Sequence, residues 1–271
     1  MAVLPASYNY LKNYLDELRS KGKYSFTYWE IKRRFKISAE AIVKSVQRLK
    51  KKGKIAHIRK EFYVVVPPEY SATGTLPTVL YIDDLMKYLE KDYYVGLLSA
   101  AALHGAAHQQ PMVFFVMNKK HSLRNISNKY ATINFSFKKK WNKKDIVQKK
   151  TDAGYINVSS PELTALDIVY FIDNVGGLNR VATILDELAE EVNAEKLADT
   201  ANRYGQIATV QRLGFMLEEV LHYKEKTEPL YNWLKNENYY PVFLKAGKKT
   251  KKMNANNRWR VIKNFSPESD L

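Results

Sequence analysis

Apolar residues recur every three or four positions near the start of the chain and predict two helices. The first helix is expected over residues 5–21, where leucines and tyrosines share one face, and Gly22 ends it. Thr27 is followed three residues later by Glu30, which is the spacing of a capping box. A second helix is therefore predicted to begin at Thr27 and to run to about Phe35.

A third helix and two extended runs complete the pattern of a winged helix-turn-helix. Ser38 is a favourable N-cap residue and precedes a helix predicted over residues 39–52, with Gly53 after its end. The extended runs Ile55–Arg59 and Phe62–Val66 are separated by a two-residue turn. Because helix, helix, turn, helix and hairpin is the order of a winged helix, we expect that domain over the first 66 residues.

The remaining pattern predicts a larger second domain in which strands precede most of the helices. Residues 67–79 are rich in proline, glycine and hydroxyl residues and are expected to link the two domains. A helix is predicted at residues 82–89, and a buried helix at residues 93–105. Strands are predicted at residues 112–117, 130–137, 146–149, 155–159, 242–244 and 259–262, and helices at residues 160–172, 179–192, 194–204, 207–222 and 228–236. We expect an α+β domain over residues 80–271, with its helices gathered in the second half.

The charge distribution suggests a polyanionic partner. The formal net charge is +16, which favours nucleic acid first and an anionic membrane surface second. Between Lys32 and Lys60 there are twelve Lys or Arg residues and one acid, Glu40. In a winged helix the third helix enters the major groove, and its outer face here carries Arg48, suited to guanine, and Gln47, suited to adenine. The sequence therefore predicts binding to double-stranded DNA.

Ten residues are predicted to contact DNA, by reading bases or by holding phosphates. Lysines suit phosphates, which position the protein without reporting sequence. The predicted DNA-binding residues are Ser38, Lys44, Ser45, Gln47, Arg48, Lys51, Lys52, Lys54, Arg59 and Lys60. Two alternatives stay open: a solvated basic helix without a partner, and a winged helix that binds protein.

Charge is also segregated in the second domain. Residues 138–150 hold seven lysines and one acid, and residues 245–263 hold eight basic residues and no acid. Residues 162–199, between them, hold nine acids and two bases, which suits a basic partner or simply exposed helix faces. The basic clusters are either solvated loops or further contacts for nucleic acid or another acidic partner. The candidate residues are Lys138, Lys139, Lys140, Lys248, Lys249, Lys251, Lys252 and Arg258.

The sequence offers no catalytic or metal-binding motif, and we expect no enzyme activity, cofactor or metal. It contains no cysteine, which excludes disulfides and thiolate sites, and no glycine-rich phosphate loop. His104 and His108 have the i, i+4 spacing of zinc ligands, but the glutamate of the zinc-protease motif is missing, so a packed or capping histidine is expected. Asp83 and Asp84 are explained by the start of a helix.

The sequence predicts a cytoplasmic protein without membrane contact. Its first residues lack the charged region and the apolar run of a signal peptide. The longest apolar stretch, residues 95–107, is interrupted by polar residues and glycines and is too short to span a bilayer.

Three parts of the chain together resemble the AbiEi antitoxin family. The first is the predicted winged helix. The second is the segment YVGLLSAAALHG at residues 94–105 with the strand at residues 112–117, and the third is SPELTALD at residues 160–167. The lysine-rich segment 245–263 departs from the usual pattern of the family, and leaves open whether it adds nucleic-acid contacts.

The resemblance implies an antitoxin of a type IV toxin–antitoxin pair, linked to abortive infection by phage. It implies that the winged helix represses its own operon by binding inverted repeats in the promoter. It also implies that the second domain counteracts a nucleotidyltransferase-like toxin without a stable complex. The alternatives are a winged-helix transcription regulator with a ligand-sensing second domain and, behind it, a nucleic-acid enzyme with an unfamiliar active site.

Overall fold

The computed structural model describes residues 9–106, 111–119, 121–247 and 255–268 of the chain. The chain divides into two units, each built from several stretches of sequence. The N-terminal unit comprises Met1–Tyr93, Asn118–Phe137 and Gln148–Asn157, and the C-terminal unit comprises Tyr94–Met117, Lys138–Val147 and Val158–Leu271. This division differs from the boundaries expected from the sequence, because two later segments complete the N-terminal unit.

The segment expected to be a linker, residues 67–79, lies inside the N-terminal unit. Its Leu76 side chain is buried, and the hydroxyl of Thr75 donates a hydrogen bond to the carbonyl oxygen of Tyr130. Short 3₁₀ turns occur at Pro68–Tyr70 and Thr78–Leu80. Proline and glycine therefore mark turns of an ordered segment here.

Residues 9–66 contain the helices and strands that the sequence predicts, and the predicted start of the first helix, at residues 5–8, lies outside the described residues. The elements are α1 Tyr10–Ser20, β1 Ser25–Thr27, α2 Tyr28–Arg34, α3 Ala39–Lys51, β2 Ile55–Arg59 and β3 Phe62–Val65. Strand β1 was not predicted, because three residues carry little local signal. It pairs antiparallel with β3 in a three-stranded sheet of order β1-β3-β2. This element order is compatible with a winged helix.

Local hydrogen bonds start the second and third helices where the sequence places them. Thr27 accepts a hydrogen bond from the backbone N–H of Glu30, whose carboxylate in turn accepts one from the backbone N–H of Thr27. The Ser38 hydroxyl accepts from the backbone N–H of Ala41 at 3.2 Å. The predicted caps of α2 and α3 are thus confirmed. The helices and the sheet enclose one apolar core that includes Leu11, Phe26, Ile31, Ile42, Leu49 and Ile55.

Strands dominate the middle of the chain. The elements are α4 Ile82–Tyr88, β4 Tyr93–Val95, α5 Leu97–Leu103, β5 Phe114–Asn118, β6 Ile126–Asn128, β7 Ala131–Phe137, β8 Ile146–Thr151 and β9 Gly154–Ser159. The strands form a sheet of order β6-β7-β5-β4-β9-β8. Strands β6 and β7 make an antiparallel hairpin, with Ile126 opposite Ile133. Strands β4 and β9 are parallel, with Val95 opposite Val158.

The helix predicted over residues 93–105 is corrected at its start. Tyr93–Val95 is strand β4, and the helix begins only at Leu97. Tyrosine and valine favour a strand, and Gly96 keeps the backbone extended before the helix. A Cβ atom at Gly96 would lie 2.8 Å from the Met117 side chain, so this close approach requires glycine. Apolar content alone could not separate a buried strand from a buried helix.

Helices fill the second half of the chain, which confirms the predicted α+β class. They are α6 Pro161–Tyr170, α7 Leu178–Leu188, α8 Ala194–Tyr204, α9 Ile207–Phe215 and α10 Lys224–Leu234, and α9 continues as a π-helical turn over Met216–Val220. Short parallel strands β10 Val242–Phe243 and β11 Val261–Ile262 follow. No helix in the described ranges has both the length and the apolar composition needed to cross a membrane.

Candidate nucleic-acid interface

Helix α3 buries one face in the core and turns a polar face outward. Ile42, Val46 and Leu49, at spacings of four and three, are buried. The exposed residues of the helix are Ala39, Glu40, Val43, Lys44, Gln47, Lys50 and Lys51. Since the buried stripe fixes the rotation of the helix, the lysines and Gln47 must face solvent. This surface combines phosphate-binding charge with a side chain that can read a base edge.

The predicted DNA-binding residues of α3 and its flanks divide by exposure. Lys44, Gln47, Lys51, Lys52, Lys54 and Lys60 are exposed, as is Ser38, whose hydroxyl is engaged in the helix cap. Ser45, Arg48 and Arg59 are half-buried. Arg48 lies at the flank of α3 and lines a cleft of about 440 Å³ together with Lys12 and Arg19 of α1. Of the two predicted base readers, Gln47 is therefore the more exposed.

The hairpin of β2 and β3 is supported by other parts of the same unit. Arg59 Nη1 donates to the carbonyl oxygen of Arg124 at 3.2 Å, and Asn128 Nδ2 donates to that of Ile58 at 3.1 Å. The Tyr88 hydroxyl donates to the carbonyl oxygen of Lys60 at 3.2 Å. The wing carrying Arg59 and Lys60 is thus held against the β6–β7 hairpin and α4, which sequence reasoning did not foresee.

Two exposed apolar residues near this surface escaped the sequence analysis. Val43 is 46% exposed on α3, and Trp29 is 47% exposed at the start of α2. The Lys32 ammonium lies 5.1 Å from the centre of the Trp29 ring, and the indole N–H donates to Glu61 at the turn between β2 and β3. The helical spacing by itself predicts that Val43 is exposed, because Val43 does not fall on the buried stripe of Ile42, Val46 and Leu49. Apolar side chains at such positions suit the methyl group of thymine.

Two predicted cationic contacts of the C-terminal unit are paired with acids instead. Lys138 Nζ lies 2.6 Å from Asp167, and Arg258 forms ion pairs with Glu218 and Glu228. Lys139 and Lys140 are exposed. The remaining predicted contacts, Lys248, Lys249, Lys251 and Lys252, lie outside the described residues. Of the predicted contacts in residues 138–150, Lys138 therefore belongs to a buried ion pair, whereas Lys139 and Lys140 are exposed.

Asp167 is the centre of a buried polar cluster in the C-terminal unit. Its carboxylate is inaccessible to solvent and accepts hydrogen bonds from the Tyr94 hydroxyl at 2.6 Å and the Tyr204 hydroxyl at 2.9 Å. Lys138 completes the cluster, and its ammonium also lies 4.0 Å from the centre of the Tyr204 ring. Burial, reinforced by the Asp167 charge, raises the pKa of both tyrosine hydroxyls, so they remain donors at neutral pH.

The residues considered for metal binding engage protein groups. His104 Nε2 lies 2.7 Å from the carbonyl oxygen of Ser159, and His108 lies outside the described residues. Asp83 accepts from the Tyr93 hydroxyl at 2.9 Å and lies 2.6 Å from Lys87 Nζ. Within the described part of the chain, no three histidines or acids come close enough together to hold a metal ion.

Part of the chain matches a known protein family. Residues 94–219 match the family model of the AbiEi antitoxin C-terminal domain. This part of the chain is similar to the AbiEi antitoxin C-terminal domain. The resemblance seen in the segments at residues 94–105 and 160–167 is thus confirmed, and the family supports an antitoxin role in a toxin–antitoxin system.

Comparison with solved structures supports the fold of the whole chain. The crystal structure of the RV2827C protein from Mycobacterium tuberculosis superposes with a TM-score of 0.66 and covers 100% of this chain and 94% of that one. The sequences are 13% identical, so the likeness concerns the fold alone. A comparison with functionally curated proteins finds no match.

The buried Asp167 cluster lies entirely within the AbiEi match. A second ion pair within the match joins Asp145 to Arg203, whose Nε donates to the carboxylate at 3.1 Å. The Thr200 hydroxyl also donates to Asp145, at 3.2 Å. Because these buried polar groups find their partners within the matched residues, they stabilise this part of the chain.

Proposed function

We propose that the protein is a DNA-binding antitoxin that represses its own operon, with residues 9–66 acting as a winged helix. The observation that carries this proposal is the outward face of α3, where Lys44, Gln47 and Lys51 are exposed together and Glu40 is the only acid. A helix with such a face provides both base readout and phosphate contacts. The AbiEi domain supports the antitoxin half of the proposal.

In this proposal α3 enters the major groove of the promoter. Gln47 and Val43 face the base edges, where the amide pairs with adenine and the valine contacts thymine methyl groups. Lys44 and Lys51 hold phosphates on either side, and Arg48, at the flank of the helix, reaches guanine. Inverted repeats in the promoter would take one copy of the chain on each half-site.

Lys51→Ala and Gln47→Ala are expected to separate phosphate contacts from base readout. Lys51→Ala should weaken binding equally to the upstream region of the gene and to a mixed-sequence duplex, and should lower the slope of log K against log salt by about 0.9. Gln47→Ala should cost roughly 1–3 kcal/mol on the upstream region only. Fluorescence anisotropy at several salt concentrations measures both quantities.

The matched control for these variants is Lys150→Ala, which removes an exposed lysine from β8 of the same unit. It should leave affinity and slope near those of the unchanged protein. The α3 interface is wrong if Lys51→Ala and Gln47→Ala bind both duplexes as the control does.

We further propose that the C-terminal unit, which contains most of the AbiEi match, counteracts a nucleotidyltransferase-like toxin. Co-expression with a neighbouring gene of that class is expected to relieve the growth arrest that the toxin causes alone. The Lys51→Ala/Gln47→Ala double variant should relieve it equally well, since DNA binding and neutralisation reside in different units. Colony counts under independent promoters provide the measurement. Growth arrest that persists with the unchanged protein contradicts the antitoxin role for that toxin.

A further inference from the structure

The wing of the N-terminal unit is joined to the β6–β7 hairpin at both ends of strand β6. Before the strand, the carbonyl oxygen of Arg124 accepts from Arg59 of the wing. At its end, Asn128 donates to the carbonyl oxygen of Ile58, two residues before the wing turn. The register of β2 shifts between His57 and Arg59, and such a bulge redirects the strand locally. The β6–β7 hairpin therefore lies directly beside the wing.

The β6–β7 hairpin and the residues next to it are basic. The sequence contains no Asp or Glu between Tyr93 and Lys144, a stretch that includes the whole hairpin. Arg124, before β6, and Lys129, in the turn between β6 and β7, are both exposed. In the described residues 55–66 and 121–137 the only acid is Glu61, which already accepts from the Trp29 indole.

Like charges are thus gathered on one side of the wing. Arg59, Lys60, Arg124 and Lys129 bring four cations to these two segments, which hold a single acid, Glu61. Such clustering raises the energy of the protein alone, and a polyanion with regularly spaced charges offsets that cost. The His57 imidazole adds no charge at neutral pH, because burial and the charge of Lys50 lower its pKa.

We propose that the β6–β7 hairpin is a second DNA-contacting element, in which Arg124 and Lys129 bind backbone phosphates beside those held by the wing. This inference rests on the proposed DNA binding by α3 and extends its footprint outward from the wing. Because phosphate contacts carry no sequence information directly, the hairpin raises affinity on every duplex and positions α3 in its groove.

The test is the salt dependence of binding by Arg124→Ala/Lys129→Ala on a mixed-sequence duplex of about 30 bp, roughly three helical turns. Each lost phosphate contact lowers the slope of log K against log salt by about 0.9, so a decrease of about 1.8 is expected. The contact between Arg124 and Arg59 uses the backbone carbonyl of Arg124, which alanine retains. The charge-conserving variant Arg124→Lys/Lys129→Arg should keep the original slope.

The outcomes separate this inference from the one on which it depends. If Lys51→Ala lowers the slope while Arg124→Ala/Lys129→Ala leaves it unchanged, α3 binds DNA and the hairpin does not. If neither variant changes the slope, the proposed DNA binding by the N-terminal unit fails as well. A decrease in the charge-conserving variant equal to that in the alanine variant would attribute the effect to altered folding and overturn the inference. Thermal unfolding of Lys51→Ala, Arg124→Ala/Lys129→Ala and the charge-conserving variant provides the independent check on folding.

Discussion

Asp167→Ala is expected to lower the free energy of unfolding by about 3–5 kcal/mol, the usual cost of removing one partner of a buried ion pair. The carboxylate is fully buried and accepts from Tyr94, Tyr204 and Lys138. Alanine would leave the Lys138 ammonium, whose side chain is 13% exposed, without its counter-charge, and two tyrosine hydroxyls without an acceptor. Urea unfolding followed by circular dichroism measures the change.

Two controls identify the cause of that loss. Asp173→Ala removes an exposed acid a short distance along the chain and should change stability by no more than about 0.5 kcal/mol. In Lys138→Met/Asp167→Leu both charges are replaced by apolar groups, and part of the lost stability should return because no unpaired charge remains buried. A cost for Asp167→Ala as small as that of Asp173→Ala would show that the cluster does not stabilise the domain.

Trp259→Ala is expected to cost about 3–5 kcal/mol, because it empties a large space in the core of the C-terminal unit. Trp259 is fully buried against α9, and its indole N–H donates to Glu218 at 3.1 Å. The carbonyl oxygen of Trp259 accepts from Gln211 Nε2 at 2.8 Å, so the tryptophan fastens the last described segment to the helices. Denaturant unfolding again provides the measurement.

Gly214 supplies an internal test of this packing. A Cβ atom at this position would lie 2.1 Å from the Trp259 ring, so Gly214→Ala alone should destabilise by about 1–3 kcal/mol or more. In the Trp259→Ala background the same change should stabilise by up to about 1 kcal/mol, because alanine favours the helix and nothing obstructs it. The two single variants and the double variant form a double-mutant cycle, and opposite signs in the two backgrounds would show that residues 214 and 259 are in contact. Equal effects in both backgrounds would contradict the contact.

Trp259 lies in the lysine-rich segment 245–263, which was predicted to be either a solvated loop or a contact for an acidic partner. Arg258, one of its members, is paired with Glu218 and Glu228 and lies 4.4 Å from the centre of the Tyr231 ring. An arginine held in this way stabilises the C-terminal unit and contributes less net charge to a partner surface. Charge counts along the sequence could not reveal this, because its acidic partners lie thirty or more residues away.

What the sequence could predict depended on short distances along the chain. Caps at Thr27, Ser38 and Ser160 involve groups within about four residues, and amphipathic spacing fixes which face of α3 is buried. The AbiEi resemblance lay in compact segments of the same kind. Local rules were weaker where a run was apolar throughout, and Tyr93–Val95 became a strand because it found a partner in β9.

The sequence by itself therefore determined the α+β class, the three N-terminal helices, the wing strands and the basic outward face of α3. Only the tertiary structure decided that Lys138 and Arg258 pair with acids, that Arg48 lies beside α1, and that the wing rests on the β6–β7 hairpin. The physical reason is that helix caps and helix faces arise from neighbouring residues. Ion pairs and hairpin contacts join residues far apart in the chain, and the sequence alone does not specify those pairings.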